Sequence, residues 1–81
     1  MAPVMSLSDL GLGDHAHVRG VDLPGQPTVR RRIEELGFAQ GATIEVVRRA
    51  PLGDPTVYRV SDYEICLRRS QAKSILVDTT P

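Results

Sequence analysis

A chain of 81 residues has room for one domain and one modest core, which excludes a separate cofactor-binding domain. Hydrophobic residues make up 41% and charged residues 25%, too apolar a balance for a disordered tail. Ten basic and ten acidic residues cancel, so the overall charge calls for neither a polyanion nor an anionic membrane as principal partner.

The opening MAPVMSLSDL has neither the basic start nor the continuous apolar run of a secretion signal, and no later stretch has the length of a membrane span. Residues 1–6 read as a tail. Leu7 and Leu10 bracket Ser8-Asp9, and a cap from Ser6 or Ser8 would set one helical turn that tucks both leucines against the core. After a turn at 11–14, Ala16 and Val18 alternate with His15, His17 and Arg19, the pattern of a half-buried strand over 16–21. Pro24, Gly25 and Pro27 make 22–27 a loop.

A short amphipathic helix follows. Thr28 is the expected N-cap, Val29, Ile33 and Leu36 fall at i, i+4 and i+7, and Gly37 supplies a left-handed stop with Phe38 folded back behind it. Residues 43–49 are β-rich, with Ile44 and Val46 facing one way and Thr43, Glu45 and Val47 the other. Two prolines stiffen the connection 50–55, and the strands 56–60 and 63–68 form a hairpin through Ser61-Asp62. Ser70 is the expected cap of a last helical turn at 71–73, residues 75–77 close as a final strand, and 78–81 read as a frayed tail. The expected fold is thus mainly β: a small five-stranded barrel with one short helix in the first connection and helical turns near the N-terminus and before the last strand. Closure would remove exposed strand edges.

Phe38, Tyr58 and Tyr63 are the only aromatics, so the core rests on Val, Ile, Leu and Ala, and stacking surfaces for nucleobases are poor. The single Cys66 has no disulfide partner within the chain, which favours a reducing compartment such as the cytoplasm.

The block Arg30-Arg31-Arg32-Ile33-Glu34-Glu35-Leu36-Gly37-Phe38, then Gly41, then Val46-Val47-Arg48-Arg49-Ala50-Pro51-Leu52-Gly53-Asp54-Pro55, then Tyr63-Glu64-Ile65-Cys66-Leu67-Arg68, resembles the FeoA family. The likeness runs over residues 7–77, and it is the ordered series that makes it specific. Ser61-Asp62 stands where family members often carry a basic residue and Gly, which leaves the turn type open. Cys66 stands where a small residue is more usual. The resemblance implies an SH3-like barrel over 7–77 and a cytosolic accessory role in bacterial ferrous-iron uptake. The implied partner is FeoB, a membrane permease with a GTPase domain, which would recruit the chain to the inner membrane. Iron-dependent repressors also end in such a domain, but this sequence has no helix-turn-helix region.

The residues themselves offer a docking chemistry. Three arginines, Arg30, Arg31 and Arg32, precede Glu34 and Glu35 on the helix, against its dipole, at about 0.3 to 1 kcal/mol for each exposed misplaced charge. A local rule broken without local gain points outward, to acidic groups on a partner or on a second copy of the chain. The alternative is pairing with Glu45 or Asp54 inside the fold, or plain solvation. Leu52, on a rigid turn with Asp54, is either a second docking residue or a plug folded onto the barrel. The expected partner-binding set is therefore Arg30, Arg31, Arg32, Leu52 and Asp54.

His15 and His17 lie on one side of a strand, and with Cys66 they would offer two nitrogens and a sulfur to zinc or ferrous ion. A second Cys and a CxxC pair are lacking, so no cofactor is required and any such binding is weak or adventitious. The same three residues are the only candidates for a Cys-His nucleophile, but no oxyanion-hole signal accompanies them and no P-loop GxxxxGK[ST] occurs, so the chain reads as a non-enzyme. The competing reading is a nucleic-acid-contacting barrel that gathers Arg30 to Arg32, Arg48-Arg49 and Arg68-Arg69 on one face, with steep salt dependence. Self-association through an edge or helix is a further expectation.

Overall fold

In the computed structural model, which describes residues 4–79, the alternating apolar segments form one six-stranded antiparallel sheet. Its strands are β1 (Val4–Ser6), β2 (His15–Val21), β3 (Thr43–Arg49), β4 (Thr56–Val60), β5 (Tyr63–Leu67) and β6 (Ile75–Asp78), in the order β1-β6-β2-β3-β4-β5. A 3-10 turn (Leu7–Asp9) follows β1, helix α1 (Pro27–Glu35) fills the β2–β3 connection, and helix α2 (Arg69–Ala72) precedes β6. This is the mainly β arrangement expected from the sequence.

Register explains the core. Ile44 and Val46 of β3 lie opposite Val60 and Tyr58 of β4, and Val18 of β2 lies opposite Val77 of β6, so these facing inward pairs are apolar. All six are buried, together with Leu7, Phe38 and Ile75. Val47 is the extra residue of a bulge between Val46 and Arg48, and Arg19 that of a second bulge between Val18 and Gly20. Such bulges re-aim the side chains that follow them.

Strand pairing reaches further toward both ends of the described residues than alternation suggests. Val4, Met5 and Ser6, read as tail, pair with Asp78, Val77 and Leu76; a three-residue strand is too short to show a period of two, and β6 supplies its template. Asp78, also read as tail, is accordingly buried inside the ladder. Residues 1–3 and 80–81 of those two tails lie outside the described residues. Among the described residues no ladder joins β1 to β5, so hydrogen bonding does not close the sheet on itself. Ser6 passes straight into the 3-10 turn and Leu67 into α2, and these helical segments pack against each other instead.

The helix caps differ from expectation. Pro27 is the first residue of α1 and Gln26 its N-cap, where Thr28 was expected, because proline's fixed φ and missing N–H suit the first helical position. Arg68 replaces Ser70 as the cap of α2; the Gln71 side chain accepts the Arg68 N–H at 3.0 Å, and Asp54 accepts the Arg69 N–H at 2.9 Å. In the 3-10 turn the Ser6 N–H donates to Asp9 at 3.2 Å, while the Ser6 hydroxyl donates to the Lys73 carbonyl at 2.6 Å and so ties the turn to α2. Gly37 stops α1 at φ +120°, and the Tyr63 hydroxyl donates to the Leu36 carbonyl, which pins the helix end to the β4–β5 hairpin. Ser61 takes a left-handed φ of 55° in that hairpin's turn.

Candidate docking surface

Cations of the sheet are spent inside the molecule. Arg59 bridges Glu45 at 2.9 Å and Glu64 at 3.5 Å, Arg48 meets Glu64 at 3.0 Å, and Arg19 meets Asp78 at 3.2 Å. Arg49 donates from Nε to the Thr56 hydroxyl at 3.0 Å and from Nη2 to the Leu10 carbonyl at 2.7 Å, and so fastens β3 to β4 and to the N-terminal turn. With Arg48 and Arg49 engaged, the single cationic face required by the nucleic-acid reading loses its central members.

On the helices the opposite holds. Among the described residues, no ion pair involves Arg30, Arg31, Arg32, Arg68, Arg69 or Lys73, and all six are exposed. The internal partners suggested for the α1 arginines are occupied: Glu45 holds Arg59, and the Asp54 carboxylate caps α2. Because α1 starts at Pro27, Arg30 lies just behind its first turn and Arg32 reaches its last turn, where a cation is favourable. The charge misplacement is therefore narrower than the sequence implied, with Glu34 and Glu35 at the C-terminal end its clearest part.

Leu52 is 95% exposed, which removes the plug alternative. Its turn is shaped from beneath: the Ala50 N–H donates to the Pro55 carbonyl at 3.0 Å, and the Gly53 N–H to the Ala50 carbonyl at 2.7 Å. Asp54 then links the loop to α2, so its carboxylate has an internal task rather than a free one.

Between α1 and α2 lies a groove of about 410 Å³ lined by Leu23, Val29, Ile33, Leu36 and Leu67, with Arg32, Ser70 and Ser74 among its polar wall. Ile33 and Leu67 are buried, whereas Val29 and Leu36 remain 46% and 41% exposed. Periodicity marked Val29, Ile33 and Leu36 as one apolar face but gave no sign that two of the three stay open to solvent. The groove also makes the candidates contiguous: the loop touches α2, and α2 shares the groove with α1.

The proposed metal ligands are not brought together. His15 and His17 lie on β2 and Cys66 on β5, with β3 and β4 between them, a separation of about 14 Å at the usual strand spacing. His15 stands 3.8 Å from Glu45 and His17 3.8 Å from Asp78, while Cys66 is exposed beyond β4. Among the described residues no cluster of three or more His, Cys, Asp or Glu is arranged to hold a metal ion. Burial pushes the Tyr58 phenol up, against smaller opposing effects of the Thr56 hydrogen bond and the Arg49 charge.

Topology and core together define a small, mainly β domain of the SH3-like kind. Residues 5–79 match the FeoA domain model, and the chain belongs to the FeoA domain family. It is 47% identical over 74 residues to the Fe(2+) transport protein A/Fe(2+) transporter FeoB fusion protein of Porphyromonas gingivalis, an overlap of 91% of this chain but only 8% of that protein's length. Among solved structures it is similar to the FeoA protein of Chlorobium tepidum, with a TM-score of 0.84, 40% identity, and coverage of 95% of this chain and 71% of that one. It is also similar to Stenotrophomonas maltophilia FeoA complexed with zinc, described as a procaryotic SH3 domain protein, with a TM-score of 0.80, 38% identity, and coverage of 91% and 89%. Among the described residues, no helix is long and apolar enough to cross a membrane.

Proposed function

We propose that this chain is a non-catalytic accessory module of bacterial ferrous-iron uptake, which docks on the cytosolic GTPase domain of a FeoB-type permease and biases its state. The observation that carries the reading is the Porphyromonas gingivalis relative, where a domain 47% identical to this one is named as part of one polypeptide with FeoB. Two modules joined in one chain meet at high effective concentration, an arrangement that suits parts working on each other. The helix cations left without internal partners, the open groove and the exposed Leu52 support the same reading. Modulation requires different affinities for two states of the permease. The chain works at the cytoplasmic face of the membrane through this partner, needs no resident cofactor, and holds divalent metal weakly at most, through His15 or His17 separately.

Titration of the full chain against the permease's cytosolic region tests the assignment. The double substitution Arg31→Ala/Arg32→Ala is expected to weaken binding by about tenfold or more while circular dichroism stays unchanged. Equal affinity in a folded variant contradicts the role given to the α1 arginines.

A further inference from the structure

We infer that the groove between α1 and α2 is a socket for an acidic segment of a partner protein that inserts apolar side chains between the two helices. Ile33 and Leu67 form its buried floor, and Val29 and Leu36 leave apolar surface at its mouth that the fold itself does not cover. At about 410 Å³ it falls within the range of roughly 300–1,000 Å³ typical of pockets that enclose a ligand, so it suits a few inserted side chains rather than a whole helix face.

Charge selects the occupant. In a chain whose formal net charge is zero, Arg30, Arg31, Arg32, Arg68, Arg69 and Lys73 sit on or directly beside the two groove helices without ion-pair partners among the described residues. Glu34 and Glu35 are the only acids on the two helices themselves, the Asp54 carboxylate beside them is engaged by the Arg69 N–H, and Arg32 itself lines the groove. An apolar slot within a cationic surface complements leucine-like side chains flanked by carboxylates. Nucleic acid fits less well, because no aromatic side chain lines the groove to stack a base and phosphates gain nothing from its apolar floor. A second copy of the chain paired through this same face would bring the same cations and be repelled. The inference rests on the docking reading for its biological setting and adds the face used and the chemistry of the docked segment.

The test uses the isotope-labelled full chain and defined probes: a short amphipathic peptide of leucine and glutamate, its leucine and lysine counterpart, a single-stranded oligothymidylate, and phosphatidylglycerol vesicles. The leucine–glutamate peptide is expected to shift the resonances of Val29, Ile33, Leu36 and Leu67 saturably, with affinity about tenfold or more above that of the lysine version. Arg32→Glu and Leu36→Asp are each expected to reduce binding by a similar factor, and Val29→Asp replaces Leu36→Asp should the latter fail to fold. Absence of binding, shifts confined to the strand face, or tighter seating of oligothymidylate or vesicles on the same helices overturns the inference. If the permease region binds the wild type and the groove variants equally, the groove assignment falls and the docking reading stands. If the permease region does not bind while the acidic peptide seats in the groove, the permease assignment falls and the socket stands.

Discussion

At Gly37 the backbone holds φ at +120°, and a Cβ added there would approach Val60 Cγ1 to 2.7 Å and the Tyr63 hydroxyl to 3.0 Å. Gly37→Ala is therefore expected to destabilise the fold by about 1–3 kcal/mol, seen as a lower urea midpoint with an unchanged slope. Tyr58 makes a second residue-scale prediction, in pH. Burial raises its phenol pKa in the folded state, so the unfolded chain loses the proton first as pH rises. Its contribution is fully present below the ordinary tyrosine value of about 10 and is lost as pH climbs through the higher folded value. Stability should fall in that alkaline window, and Tyr58→Phe should flatten this part of the profile; an equally steep fall in the variant assigns it to other groups. The helix stop at Gly37 was legible because glycine after an amphipathic run has a local cause. The exposure of Leu52 was not, since a leucine between prolines has the same sequence whether it plugs a barrel or faces water.

Helix α1 shows the same boundary between local and tertiary causes. Its existence and apolar face follow from spacing, but its start depends on Pro27 at the first position, which shifts the arginines away from the N-terminal turn. What remains misplaced is the acidic end. Glu35→Gln is expected to raise stability by about 0.3–1 kcal/mol in urea unfolding, by removing a carboxylate from the negative end of the helix. A loss of stability would show that Glu35 has an internal partner. The strands β2 to β6 were legible through alternation and the tight turn at Ser61-Asp62, whereas β1 exists only because β6 offers an edge. Likewise His15, His17 and Cys66 shared a ligand chemistry in sequence, but strand order, a tertiary property, put two strands between them.

For the whole molecule, a sheet that satisfies its own cations and two helices that do not make a division of labour: the sheet holds the fold, and the helix surface faces outward. The family was legible in the motif series because those residues set turns, the helix stop and the ladder. The groove was not, because it forms between α1 and α2, which are separated in sequence by three strands. The measurement that bears most directly on the central claim is crosslinking of the full chain to the cytosolic region of the FeoB-type permease, held in turn without nucleotide, with GDP and with a non-hydrolysable GTP analogue. Docking on the permease predicts a specific crosslinked complex whose yield differs between nucleotide states and falls with Arg31→Ala/Arg32→Ala. A folded chain that forms no complex in any of the three states contradicts it.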